Sequence, residues 1–169
     1  MARPQQGDHG EFYQKYINKT KSDTIKLLVE NNSSALNHFV MNLPETKADY
    51  AYAEGKWTVK DLLQHMIDTE RIMVYRALTI ARNDKLNLPG FDENNYSVSA
   101  KASSRILQSL KEEFVAVRKS TDLFLLSLSE EQLQQKGIAN GHSIKVNSLA
   151  YIIYGHALHH KQILEDRYL

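Results

Sequence analysis

Ser148-Leu-Ala-Tyr-Ile-Ile-Tyr-Gly-His-Ala-Leu-His-His-Lys-Gln-Ile-Leu-Glu-Asp-Arg-Tyr-Leu169 closes the chain. Leu149, Ile152, Ile153, His156, His160, Ile163 and Leu164 recur at spacings of three and four, which traces one face of a helix. Two of these seven apolar-face positions are histidines. Burying an unpaired polar group costs about 1–3 kcal/mol, so both rings need a partner. The i, i+4 spacing of His156 and His160 aims them at one point, where a divalent metal ion is the most economical partner. His159 is i+3 from His156 and competes for that pairing. Its place at the edge of the apolar arc favours His160 and leaves His159 a supporting or surface role.

A third inward imidazole comes from earlier in the chain. Thr58-Val-Lys-Asp61 reads as an N-cap with an acid three residues on, a weak form of the capping box. The helix it opens runs to about Arg82, with Leu62, His65, Met66, Thr69, Ile72, Met73, Arg76 and Ile80 on one stripe. His65, His156 and His160 together form a ligand set suited to zinc or nickel, with iron or manganese as further candidates. Asp68 lies i+3 from His65. It is a candidate catalytic residue, as a weak fourth ligand, an orienter of a ligating imidazole or a base for metal-bound water. Glu70 lies about 140° round the helix from His65 and is expected to pair with a basic group or cap a neighbouring helix. Arg76, Arg82 and Asp84 could form an inter-helix polar network. Trp57 reads as a packing plug, and Tyr151 and Tyr154 as core or pocket residues. His9, His38 and His142 have no evident partner and read as solvent-facing.

The remaining segments complete a helical pattern. Residues 1–20 are expected to be a flexible or loosely packed segment anchored by Phe12, Tyr13, Tyr16 and Ile17. A helix should start after Ser22, weaken across Glu30-Asn-Asn-Ser-Ser34 and end near Met41, ahead of Pro44. The connection from Asn83 to Ala102, roughly 20 residues with little periodicity, is long for a compact domain. A third helix follows from Ser103 or Ser104, with Ile106, Leu110, Phe114, Val117 and Leu125 inward. Ser129-Glu-Glu-Gln132 looks like a one-turn helix start. Asn140-Gly141 marks a turn, Ile144–Val146 is a short extended piece, and the closing helix spans about 147–167. The expected fold is all-α: residues 21–169 as a four-helix bundle with one long crossover connection.

Composition narrows the function. Hydrophobic residues make up 42% of the 169 and the net charge is +1, so nothing favours nucleic acid or an anionic membrane. With no cysteine, thiolate metal sites and cysteine nucleophiles are excluded. The first residues lack the apolar core of a signal peptide, and no apolar run approaches the roughly 18 residues of a membrane span. A cytoplasmic location is expected. There is no nucleophile elbow, phosphate loop or dinucleotide fingerprint.

Several segments together resemble the DinB-like superfamily of four-helix-bundle metalloproteins. They are Glu54-Gly-Lys-Trp-Thr-Val-Lys-Asp-Leu-Leu-Gln-His-Met-Ile-Asp-Thr-Glu-Arg71, Tyr75-Arg-Ala-Leu78, Leu88-Pro-Gly-Phe-Asp92 and Gly155-His-Ala-Leu-His-His160. The resemblance runs from about Lys21 to the C-terminus. It implies a divalent metal on three histidines, which fall here on His65, His156 and His160. Lys145 departs from the pattern, since similar sequences have a Ser or Thr cap there. Some members are transferases that use bacillithiol, mycothiol or glutathione, and others are regarded as metal-dependent hydrolases. The resemblance therefore implies a small-molecule thiol and an electrophilic substrate. Hydrolysis of a small substrate by metal-activated water is the alternative. A non-enzymatic, metal-stabilised module is the third reading. A homodimer is expected, through a stripe of Tyr151, Tyr154 and Leu158.

Overall fold

The computed structural model describes residues 3–169. A 3-10 turn at Glu11–Tyr13 leads into α1 (Gln14–Ile17), followed by α2 (Ile25–Met41), α3 (Val59–Ala81), β1 (Asn87–Leu88) and α4 (Glu93–Ala100). Then come α5 (Leu107–Leu126), α6 (Glu130–Gln134), β2 (Lys136–Ala139), β3 (His142–Lys145) and α7 (Val146–Arg167). The four long helices α2, α3, α5 and α7 form the expected bundle. Each packs on two neighbours, in the ring order α2–α5–α3–α7. Consecutive long helices α2 and α3 thus face each other across a diagonal, and α3 lies along α7.

Local chemistry sets the helix starts. At α3 both halves of the capping box form: the Asp61 N–H donates to Thr58 Oγ1 (3.2 Å) and the Thr58 N–H to the Asp61 carboxylate (3.0 Å). The cap of α2 is Thr24 rather than Ser22, with the Leu27 N–H on Thr24 Oγ1 at 3.2 Å. Ser22 is turned inward instead, donating to the Leu27 carbonyl and accepting from Asn31. The polar patch 30–34 stays helical because Ser33 faces the core and donates to Asp122, while Asn32 folds back on the Leu28 carbonyl (2.7 Å). The third long helix starts later than expected, because Lys101 takes a left-handed conformation (φ 50°) and Ala102–Ser104 form a separate 3-10 turn.

The N-terminal residues described here are not loosely held. Ile17 is 1% exposed and Tyr13 is buried. Arg3 donates to the carbonyls of Ile17 (2.9 Å) and Ser22 (3.0 Å). The Asp8 carbonyl accepts from the Lys145 N–H (2.9 Å) and the Ser148 hydroxyl (3.1 Å). Lys145, which gives α7 no side-chain cap, pairs with the Asp8 carboxylate at 2.7 Å. This segment thus serves the first turn of α7 where a Ser or Thr cap is missing, and it buries His9, which was expected in solvent. Gly155 permits the approach: a Cβ there would stand 2.0 Å from the Tyr16 carbonyl oxygen. A glycine inside a helix costs about 0.5–1 kcal/mol relative to alanine, and here it gives α1 room against α7.

A small sheet accompanies the helices, and only its last strand, His142–Lys145, overlaps the extended piece expected at Ile144–Val146. β1 pairs in parallel with β2, and β2 pairs antiparallel with β3 through Asn140-Gly141, both at positive φ. Strands of two to four residues are too short to display an alternating pattern. The connection between α3 and α5 also holds α4, capped by Asp92. No residue of α4 is buried, so it carries no apolar stripe for the sequence to reveal. Among the described residues no helix is long and apolar enough to cross a membrane. Tyr151 and Tyr154 are fully buried, and Leu158 packs against the core. The three do not make the free stripe expected for dimerisation.

Candidate metal centre

His65 projects from the second turn of α3, and His156 and His160 from successive turns of α7. The packing of α3 along α7 brings all three together. His156 Nε2 lies 3.1 Å from His65 Nε2 and 3.0 Å from His160 Nε2, and the three ligand atoms lie within 4.8 Å of one another. Nitrogens bound at about 2.0–2.1 Å to one ion stand roughly 3 Å apart. A neutral imidazole offers one ring lone pair, so His156 Nε2 cannot accept a proton from both neighbours at once. A cation at the meeting point satisfies all three.

The electrostatics suit ligation. Burial lowers the His65 imidazole to about 4 against the charge of Glu93. Burial first, then the neighbouring rings, hold His156 and His160 well below 6.5. All three are therefore neutral, with lone pairs free, near pH 7. His156 and His160 are 7% and 9% exposed, and His65 is half-buried. The His65 Nδ1 lies 3.5 Å from the Thr69 hydroxyl, whereas the His160 Nδ1 is buried with no hydrogen-bond partner among the described residues.

Aromatic rings enclose the cluster. Trp57 tilts over His65 at 4.8 Å, and Tyr16 sets its ring 5.5 Å from both His156 and His159. His159 remains half-exposed beside the site. A cavity of about 340 Å³ opens beside the imidazoles, walled also by Phe91, Glu93, Arg76 and Asn140. Trp57 is thus a wall of the site as well as packing, and its carbonyl accepts from the Tyr168 hydroxyl (2.8 Å).

The other expected residues separate. Asp68 does not join the histidines. It accepts from Gln64 Nε2 at 2.9 Å and lines a second hollow with Arg71, Tyr96 and Arg105. At i+3 it sits on the flank of α3, and that flank faces α4 instead of α7. Burial raises its carboxyl above the usual range. Glu70 finds its basic partner in Arg118, inside the bundle. Arg76, Arg82 and Asp84 form no common network. Arg76 donates to the Pro89 carbonyl (2.6 Å), Arg82 is exposed, and Asp84 caps the Leu86 N–H (3.1 Å). His38 and His142 are exposed, as expected. Nothing in the helical period points to Tyr16 or Glu93 at the site, because each arrives from a segment without periodicity. Arg76 did carry a signal, as a charged residue on the His65 stripe.

The family profile of the DinB superfamily matches residues 28–164. A protein of Oceanobacillus iheyensis, provisionally named a metal-dependent hydrolase, is 26% identical over 141 residues, covering 78% of this chain and 76% of its own length. The solved structure of YfiT from Bacillus subtilis superposes with a TM-score of 0.65 at 17% identity, covering 98% of this chain and 92% of that one. That structure is described, again provisionally, as a metal-dependent hydrolase with an unusual four-helix bundle topology, and at this identity it bears on the fold alone. With the profile spanning most of the sequence, the chain belongs to the DinB superfamily.

Proposed function

We propose that this chain is a metal-dependent enzyme that joins a small thiol to a small electrophile. His65, His156 and His160 would hold the divalent cation, zinc or nickel before iron or manganese. The observation that carries this reading is the convergence of three neutral Nε2 atoms beside a cavity of about 340 Å³. A cation held there supplies a Lewis acid that makes a thiol or water more acidic. The residues of the chain do the rest. The imidazoles stay deprotonated because burial disfavours their charged form. Trp57, Tyr16 and Phe91 form an apolar wall that orients the electrophile and excludes water. In the reaction a carbon–sulfur bond forms, the leaving group departs from that carbon, and the thiol proton passes to solvent. A thiol made acidic in this way needs no side-chain base, in keeping with Asp68 lying outside the site.

Hydrolysis of a small substrate is the second reading. It is favoured by the hydrolase description of the Oceanobacillus relative and by Glu93, a carboxylate on the cavity wall able to take a proton from water.

The test begins with elemental analysis of tag-free protein beside His65→Ala. Wild type should carry metal and the variant none; equal content would remove the site. Metal-loaded protein is then given a chloro-dinitrobenzene with and without thiols, and separately an ester without thiol. Turnover that requires thiol supports the transferase, and ester turnover without thiol supports the hydrolase. A silent result in both, with melting temperature still dependent on metal, leaves a binding module.

A further inference from the structure

One charged group on the cavity wall has no part in the chemistry above. Arg76 is 3% exposed. Its Nη2 donates to the Pro89 carbonyl at 2.6 Å, and its Nη1 to the Met73 sulfur, a weak acceptor, at 3.6 Å. Among the described residues no carboxylate forms an ion pair with it. A guanidinium carries five N–H donors in a fixed fork, and burying its charge without a counter-charge is costly. The same bundle pairs its other buried arginine, Arg118, with Glu70. Arg76 has no such partner and opens on the cavity that holds the histidines.

The charge of the cavity points the same way. Among the described residues the only carboxylate on its wall is Glu93. A divalent cation and Arg76 against Glu93 leave the cavity net positive. The geometry adds a length. Arg76 follows His65 by eleven positions, which returns to nearly the same face of α3 about 16 Å further along the axis. A helical side chain leans back toward the N-terminus, so the guanidinium reaches from there toward the imidazoles.

We propose, on the reading of the cavity as a catalytic one, that Arg76 is its anion-binding end. It takes the carboxylate of an elongated small molecule whose reactive atom lies at the three histidines. The fork geometry suits a carboxylate, accepting two parallel N–H bonds. The carboxylate can belong to the thiol or to the electrophile.

Trp57 is the only tryptophan and lines the cavity, so its fluorescence reports occupancy. Full-length protein is titrated with phenylacetate and with its neutral isostere phenylacetamide. The acid should bind at least tenfold more tightly in wild type, and Arg76→Gln should erase the difference while Arg76→Lys keeps part of it. His65→Ala, which disables the metal centre and keeps Arg76, should retain the preference. Equal binding of acid and amide by wild type overturns the proposal, and that comparison needs no variant to fold. So does a preference that survives in folded Arg76→Gln or vanishes in His65→Ala, since the cation would then be the anion's partner. Turnover of a neutral electrophile with 3-mercaptopropionate or 2-mercaptoethanol identifies the source. If the thiol bears the anion, Arg76→Gln raises KM about tenfold for the first thiol only, with kcat unchanged. If the electrophile bears it, the KM of an acidic electrophile moves instead. Lack of turnover in every arm counts against the transferase reading, whereas the fluorescence preference judges Arg76 by itself.

Discussion

Two polar clusters are buried in this bundle, and both draw on α3 and α7. In one, Glu70 of α3 accepts from Arg118 of α5, and Tyr154 of α7 and Ser33 of α2 both donate to Asp122 of α5. Arg118, 0% exposed, also lies against the rings of Tyr154 (4.6 Å) and Phe114 (5.7 Å). Charge meets countercharge, and although Arg118 Nε and Nη1 and Glu70 Oε1 have no hydrogen-bond partner among the described residues, this cluster is paired within itself and ties all four long helices together. In the other, three ring nitrogens from α3 and α7 meet, with His156 Nε2 about 3 Å from each of the other two. Like groups gathered at one point cannot satisfy each other. The contrast separates a polar cluster that holds a fold from one whose chemistry suits a shared cation. The two buried arginines repeat it, Arg118 with a carboxylate and Arg76 with none.

The strongest attempt to break this division is His156→Ala. Removing the central imidazole should abolish bound metal and turnover altogether, read by elemental analysis and by the thiol assay. The same substitution should cost the metal-free protein far less stability than damage to the other cluster. Full metal content in this variant would end the distinction.

Glu70→Ala attacks the closed cluster. Leaving Arg118 buried without its partner should destabilise the fold by about 3–5 kcal/mol in urea denaturation. The folded fraction should still bind metal at wild-type stoichiometry. Joint replacement as Glu70→Leu with Arg118→Met should restore most of the loss, since apolar residues of similar volume often match a buried pair. Metal lost in step with Glu70→Ala would show that the two clusters work as one unit.

Acid sharpens the comparison further. In the unfolded chain the imidazoles take a proton near pH 6.5, but folded His65 does so only at about 4. Between those values the unfolded state binds more protons, so stability is full above the window and falls as pH drops through it. For His65 alone the loss amounts to up to about 3 kcal/mol. Urea midpoints in chelator at pH 7, 6 and 5 should fall accordingly, with a shallower fall in His65→Ala. Equal slopes would mean that the ring is not buried neutral.

The smallest effect is expected at Asp68. It lies in the second hollow, so Asp68→Asn should change stability by no more than about 0.5 kcal/mol. Metal content and turnover should stay near wild type. A large loss of turnover would return Asp68 to the active site.

Much of this molecule can be read along the chain, because helical faces repeat every three or four residues and need no partner to be recognised. The four long helices, the Thr58 cap and the inward aim of His65, His156 and His160 all rest on that local period. A buried imidazole on an apolar face raises the question of its partner before any packing is known. The angle of Glu70 round the helix allowed a basic partner or a cap on a neighbouring helix, and the packing decided for Arg118. What the period could not supply came from segments without one: the small sheet, α4, and the N-terminal segment against Gly155. Asp68 shows the limit most plainly. Spacing placed it on the same side of α3 as His65, but which flank meets α7 and which meets α4 is set by how helices pack. Contacts between distant residues depend on the closed volume of the folded chain, and only the tertiary structure decides which side chains share a cavity.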